Sequence, residues 1–555
     1  MTTNNNHHRN NDRSEKKAGG AATPPAPVWS GPARLRLVPP DAPRRNAVKP
    51  LGVAPLGEPV LVGLGVADAR HHVHVLGPTG TGKTTLLLNV ACAEARAGRG
   101  VAVFDPKGDL VRDLLDRLPE SVAPRLVLID SDECQAPAAL NLFDLGADPE
   151  GVADQLVGVM AKVWAQYWGP RTDDLARHAV LTLAHLPGAT LADLPVLLAD
   201  TGYRRRVLAE ARRRAGPVDT AGLAAFWAWY DELTPAQASV QVGPLLSKLR
   251  AVLSRRFAAG LFGVGASTFR LADVLDGGVL LVRLPPTLGE DTGRLVGSLL
   301  LAALLHAASA RADLREEQRR DATLVLDEAH TFLHLPVGVD TALATTRALR
   351  LSLWLAHQHL GQLGGSMFAA IDANARNKVY FSLPPKDARD VAHHVAPYFT
   401  ADDLTRRDAY GIVVRLVFDG RDGEAFSLNT RPAPPAWPGR AQRLRAAART
   451  RGLPLADRQK LAEARRLGPA LRTTRPAVNP TGSTSGPTNP TDPPHDPTGA
   501  EEGGPPSPPN GPTGPTGNLT SYPTQPGQEL SPPGVQAPRT DGLRPPTQRK
   551  RRNQP

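Results

Sequence analysis

Gly77-Pro78-Thr79-Gly80-Thr81-Gly82-Lys83-Thr84 is the stretch that decides the fold. It satisfies G-x-x-x-x-G-K-[ST], and its flanks agree with that motif. HHVHVLG (71–77) reads as a short Val-rich strand closed by Gly, and 84–97 as a helix with apolar residues on one face. Glycines let the backbone curl into a nest whose N–H groups face phosphates, and the helix N-terminus adds partial positive charge. In that arrangement Lys83 reaches the β- and γ-phosphates of ATP, and the Thr84 hydroxyl ligates Mg²⁺. Thr85 caps or packs. The nucleotide-binding set is therefore Gly77, Pro78, Thr79, Gly80, Thr81, Gly82, Lys83, Thr84 and Thr85.

Outward from the loop, PVLVGLG (59–65), GVAVFD (100–105) and RLVLID (125–130) read as further strands. Strand, helix, strand, helix, strand implies a parallel α/β sheet. From about 150 to 275 the pattern is helical and holds Trp164, Trp168, Trp227 and Trp229. Strands return at GVLLVRL (278–284), TLVLDE (323–328), LSLWLAHQ (351–358), KVYFSL (378–383) and GIVVRLVF (411–418). The expected fold is thus an α/β P-loop NTPase with a central, mostly parallel sheet, an all-helical insertion domain and disordered termini. The expected boundaries are a basic arm at 1–50, the two parts of the ATPase domain at 51–149 and 276–432, and the helical insertion at 150–275. A basic linker follows at 433–470, with a helix near 456–467, and a Pro/Gly/Thr-rich tail at 471–555.

Composition narrows the class. The 555 residues are enough for two to four domains, and with only 5% aromatics the core must be aliphatic. Two cysteines, Cys92 and Cys134, exclude a disulfide scaffold and a Cys-rich metal site, and fit a reducing compartment. The start of the chain is polar and basic, without the apolar core of a secretory signal. The longest apolar run, 295–310, contains Ser298, His306 and Ser309 and is shorter than the roughly 20 residues of a membrane span, so it reads as a buried helix. The net charge of +11 is uneven: residues 1–50 carry +6, 431–470 carry +8, 471–555 carry +2, and the body carries −5. Basic flanks either meet nucleic acid or anionic lipid, or only keep the chain soluble.

A phosphate loop needs acidic partners, and Thr323-Leu324-Val325-Leu326-Asp327-Glu328 supplies them. The apolar residues bury a strand, and the carboxylates emerge at its C-terminal edge, where α/β sheets bind ligands. Asp327 holds Mg²⁺ in this reading, and Glu328 polarises the attacking water. Asp-Glu-Ala-His at 327–330 matches a helicase box in four letters, but no later Gln/Gly/Arg helicase box accompanies it, and His330 reads as a strand-exit residue. Asp105 and Asp109 lie at another strand end, where a turn and helix cap is the simplest role.

The order of 77–84, Phe104-Asp105-Pro106-Lys107-Gly108-Asp109, Leu326-Asp327-Glu328 and Ala356-His357-Gln358 resembles the HerA/FtsK superfamily of ring-forming, DNA-pumping ATPases. Within it the chain is most similar to the conjugative coupling proteins of type IV secretion systems, the VirD4/TraG/TraD group, over about 51–432. The resemblance implies a RecA-like fold, ATP and Mg²⁺ as cofactors, DNA as cargo in single- or double-stranded form, and assembly as a homohexamer. It also implies relaxase and type IV secretion channel proteins as partners, and a cytoplasmic location peripheral to the inner membrane through a partner.

By the same resemblance Gln358 senses the γ-phosphate and Arg347 is offered to a neighbouring subunit's ATP, with Arg350 a competing candidate and a solvated helix residue the plain alternative for Arg347. Arg70, before the phosphate-loop strand, is a further candidate for the nucleotide. The insertion carries two basic triplets, Arg204, Arg205, Arg206 and Arg212, Arg213, Arg214, which either touch DNA phosphates or form a solvated helix face. The chain departs from the coupling proteins in having no convincing membrane span, in Asp-Glu-Ala for Asp-Glu-Phe, and in Arg347-Ala348 for Arg-Lys. A HerA-like DNA-processing helicase or translocase, a VirB4-like secretion ATPase and a non-hydrolysing nucleotide-binding adaptor stay open as alternatives.

Overall fold

The computed structural model describes residues 47–56, 58–146, 148–216, 220–458 and 460–461. The expected tail, most of the expected N-terminal arm and most of the helix expected near 456–467 lie outside the described residues. Eleven strands form one sheet. They are β1 (Val48–Leu56), β2 (Glu58–Gly65), β3 (Val73–Leu76), β4 (Gly100–Asp105), β5 (Leu126–Asp130), β6 (Val279–Arg283), β7 (Ala322–Leu326), β8 (Leu351–His357), β9 (Asn377–Tyr380), β10 (Gly411–Phe418) and β11 (Arg421–Thr430). The spatial order is β2-β1-β11-β10-β9-β3-β8-β7-β4-β6-β5. From β9 to β5 every neighbouring pair is parallel, and from β9 back to β2 every pair is antiparallel. The mostly parallel α/β class follows from the βαβ rhythm. Three of the four antiparallel pairs among the described residues involve β1 or β11, two strands that pattern alone does not reveal.

The parallel strands are buried on both faces, and period 2 divides their side chains. Val101 and Val103 of β4, Val325 of β7 and Trp354 of β8 join one core with the phosphate-loop helix (Lys83–Arg96) and the helix Asp109–Arg117. Ala102 and Phe104, Leu324 and Leu326, and Leu353 and Leu355 join the opposite core. That second core contains the helix Glu290–Ser309 together with the helices found between Pro149 and Leu275. The helical stretch is therefore continuous in its packing with one face of the sheet. Glu290–Ser309 is long and apolar enough to cross a membrane, yet most of its side chains face this core.

Two segments differ from expectation. β1 begins at Val48, inside the stretch read as an arm. Its Lys49 is fully buried, with Nζ 2.6 Å from Glu94 Oε2, and Thr323 donates to the same carboxylate oxygen at 2.6 Å. A lysine in so basic a stretch signals solvent, and only the distant Glu94 explains its burial. The segment read as a linker contains the helix Arg440–Arg449. Leu444 is buried there, Arg445 donates to Asp130 at 2.7 Å and Arg449 to Glu133 at 2.9 Å. Part of the basic flank thus neutralises acids of the body.

Candidate nucleotide site

The phosphate loop links β3 to the helix Lys83–Arg96, with Gly80 at φ 85° and Gly82 at φ 111°. Both lie in the left-handed region that favours glycine. At Gly82 a Cβ would also stand 2.8 Å from Tyr410 Cδ1, whereas at Gly80 it would meet nothing within 4 Å, leaving the loop's outer face open. Tyr410 N donates to Thr81 O at 2.8 Å, so the turn before β10 braces the loop from the side. Lys83 Nζ donates to Gly77 O at 2.6 Å and Pro78 O at 3.3 Å. Burial pulls this ammonium's pKa down, while Glu328 and Asp327 pull it up. Thr84 is exposed at the first turn of the helix.

β8 lies between β3 and β7, so the three strand ends bring Gln358, the phosphate loop and Asp327-Glu328 to one edge of the sheet. Thr79 donates to Gln358 Oε1 at 3.1 Å, and Gln358 Nε2 donates to Glu328 Oε1 at 2.7 Å. Glu328 is buried and left-handed, at φ 48° and ψ 55°. A non-glycine residue there costs about 1–2 kcal/mol, a strain that aims its carboxylate into the cluster. Lys107 Nζ reaches Glu328 Oε1 at 2.7 Å, and Gln362 Nε2 reaches Oε2 at 3.2 Å. Burial opposes ionisation of Glu328, but the Lys107 and Gln358 hydrogen bonds and the Lys107 and Lys83 charges together outweigh it, and its pKa falls.

Asp327 behaves differently. Burial, then the Glu328 and Asp105 charges, push its pKa up to about 6 despite Lys107 and Lys83. A buried carboxylate with so little compensating charge, at the same sheet edge as an exposed threonine and an open anion nest, is a donor set that fits Mg²⁺ with a nucleotide phosphate. Thr84 and Asp327 would hold the ion, which would supply positive charge at the phosphates.

Other expected residues lie elsewhere. Arg347 is exposed on the helix Val339–Ala348, whose Leu343 carbonyl meets His72 Nε2 at 2.7 Å, at the opposite end of β3 from the phosphate loop. Arg350 is engaged within the chain, at 3.1 Å from Arg319 O and 3.4 Å from Glu316. Arg70 is withdrawn from the nucleotide: it forms two bonds to Asp321, at 2.7 and 3.0 Å, at the N-terminal edge of the strands. Asp105 is the cap, accepting from Lys107 N, Gly108 N and Val111 N at 2.9, 2.7 and 3.0 Å. Asp109 is exposed and pairs only with Arg112, at 3.3 Å, among its described contacts. His330 Nδ1 stands 3.9 Å from Glu328 Oε2. Of the basic triplets, Arg204 is internal, bonded to Asp231 and Leu197 O, and Arg213 and Arg214 pair with Glu210.

Sequence reasoning missed Lys107, Gln362 and Tyr410. Lys107 follows β4, which pairs with β7, so strand order alone brings it to Glu328. Gln362 follows Gln358 by four residues and accepts its N–H at 2.9 Å, a spacing that was legible. Nothing near Tyr410 announces its contact with residues more than three hundred positions earlier.

The sheet, the phosphate loop and the paired carboxylates define a RecA-like P-loop NTPase fold. Among solved structures, the chain is similar to the plasmid coupling protein TrwB in complex with ADP and Mg²⁺, at 15% identity over 67% of this chain and 88% of that one, with a TM-score of 0.49. It is similar to TrwB with a non-hydrolysable GTP analogue at 15% identity, over 67% and 89%, with a TM-score of 0.49. VirB4 of Thermoanaerobacter pseudethanolicus matches at 12% identity over 69% of this chain and 96% of that one, with a TM-score of 0.41. No protein-family profile and no curated protein sequence matches the chain.

Proposed function

We propose that this chain is an ATP-hydrolysing motor that moves DNA, of the type that couples conjugative transfer to a type IV secretion system. The observation that carries the ATPase reading is the convergence of the phosphate loop, Asp327, Glu328 and Gln358 at the ends of β3, β7 and β8. Lys83 stabilises charge on the transferring phosphoryl, Glu328 orients the attacking water, and Gln358 couples the two through Thr79 and the Glu328 carboxylate. Lys107, Gln358 and Gln362 donate to Glu328 and hold its carboxylate in place to accept a proton from water.

The ordered motifs and the helical stretch after β5 support the motor reading, with DNA as cargo and relaxase and channel proteins as partners. Arg347 lies at the end of β3 opposite its own phosphate loop, which supports an arginine given to a neighbour in a homohexamer. In this reading the protein works in the cytoplasm, peripheral to the inner membrane through a partner. ATP hydrolysis by the full-length protein, with and without single- and double-stranded DNA and with Lys83→Ala as blank, tests it. DNA stimulation that steepens with protein concentration is expected. Turnover indifferent to DNA would turn the reading toward a protein-secretion motor, and turnover unaltered by Lys83→Ala would end it.

A further inference from the structure

Away from the nucleotide, Asp372, His393 and His394 bring one ligand atom each to within 4.8 Å of one another. Asp372 stands near the end of the helix Gly365–Asn374, and the two histidines close the short helix Ala392–His394. His394 Nε2 is 2.6 Å from Asp372 Oδ1, and His393 Nε2 is 3.9 Å from Oδ2. The imidazole rings lie against each other with centroids 3.9 Å apart. Lys378 Nζ, buried beneath, donates to Asp372 Oδ1 at 3.0 Å and to its backbone carbonyl at 2.7 Å. That grip fixes the carboxylate and leaves Oδ2 turned toward His393.

We propose that Asp372, His393 and His394 form a binding site for a borderline-soft divalent cation, Zn²⁺ being the best match. Two imidazole nitrogens and one carboxylate oxygen are a zinc-type donor set, whereas Mg²⁺ and Ca²⁺ prefer oxygen alone. Ligand bonds of about 2.0–2.2 Å in a tetrahedron separate ligand atoms by roughly 3.3 Å. The three ligand atoms already lie within 4.8 Å of one another, with the histidine nitrogens 2.6 Å from Oδ1 and 3.9 Å from Oδ2, so side-chain adjustments of about 1 Å bring them to that spacing around one ion. A cavity of about 260 Å³ opens in front of the histidines, lined by Tyr398, Arg415 and Glu424 among others, and has room for a water or a fourth ligand. Lys378 keeps its grip on Oδ1 and acts as the orienting partner that metal-bound carboxylates usually have. The ion would tie the helix Gly365–Asn374 to the segment 392–394. Tyr380 of β9, in register with Leu76 just before the phosphate loop, has its ring 6.5 Å from that of His394.

The test compares full-length wild type with the double variant His393→Ala/His394→Gln. Both are stripped with chelator, reloaded with Zn²⁺, dialysed and analysed for metal. Any binding by His7 and His8 near the N-terminus is common to both. Wild type is expected to retain one more Zn²⁺ per chain, to show visible absorption on Co²⁺ substitution, and to melt higher with Zn²⁺ than without. The double variant should show none of the three differences. His393→Ala alone serves where the double variant does not fold, because the His393 side chain is 61% exposed and carries little packing. Equal metal content in wild type and a folded variant would overturn the proposal.

Discussion

Replacing Lys107 by Gln removes an ammonium bonded to Glu328 and, among the described residues, one of the two whose charge holds down the pKa of Asp327. A hydrogen bond to a buried charge is worth about 1.5–3 kcal/mol, and the Lys107 side chain is 41% exposed, so the low end applies. That corresponds to roughly one pKa unit. That loss falls on Glu328, whose pKa rises from its depressed position; Asp327, which feels only the Lys107 charge, rises by less from its value of about 6. At pH 6 the ionised fraction of Asp327 then falls below about one half, while well above pH 7 it stays ionised with or without Lys107. The variant's kcat/KM for ATP should be several-fold low near pH 6, recover as pH rises, and come close to wild type above about pH 8. The assay is steady-state ATP hydrolysis at saturating Mg²⁺ across that range, with Lys107→Arg expected to restore most of the acid limb. A variant-to-wild-type ratio that stays constant with pH would refute the reasoning, because a lysine acting only on bound phosphate would not shift the free enzyme's acid limb.

Glu328→Gln should keep ATP binding while turnover falls about 10²–10⁴-fold, read by nucleotide binding beside hydrolysis; full turnover would reassign the base. Mixing Arg347→Ala with Lys83→Ala subunits should give activity that departs from simple dilution; strict proportionality to the wild-type fraction would remove the trans role. Lys49→Met should cost about 3 kcal/mol in denaturant unfolding, because it takes from the buried Glu94 one of the two cations that pair with it among the described residues. Burial raises the Glu94 pKa, but Lys49 and Arg99 outweigh it and bring it from 4.5 to about 2. Its stabilising share is therefore present above pH 4.5 and lost as pH falls toward about 2, and Lys49→Met should flatten that acid limb. Burial also pulls the Lys49 ammonium down, so the pair contributes less than the carboxylate's side alone.

The chain's own pattern determined the phosphate loop, the parallel strands and the acidic strand end. Each of these is local: glycines at fixed offsets, runs of apolar residues and a change of period from 2 to 3.6. Gln358 came from the resemblance to the DNA-pumping ATPases, not from the local pattern. Tertiary structure alone decided the rest, because a sequence lists strands without their neighbours. The order β3-β8-β7-β4 turned Lys107 into a partner of Glu328 and sent Arg70 to Asp321 at the far edge of the sheet. The same non-local pairing made Lys49 a buried residue and the segment 440–449 part of the body. In each case a charged side chain reads as solvent-exposed until its counter-charge, brought by a distant strand or helix, is known.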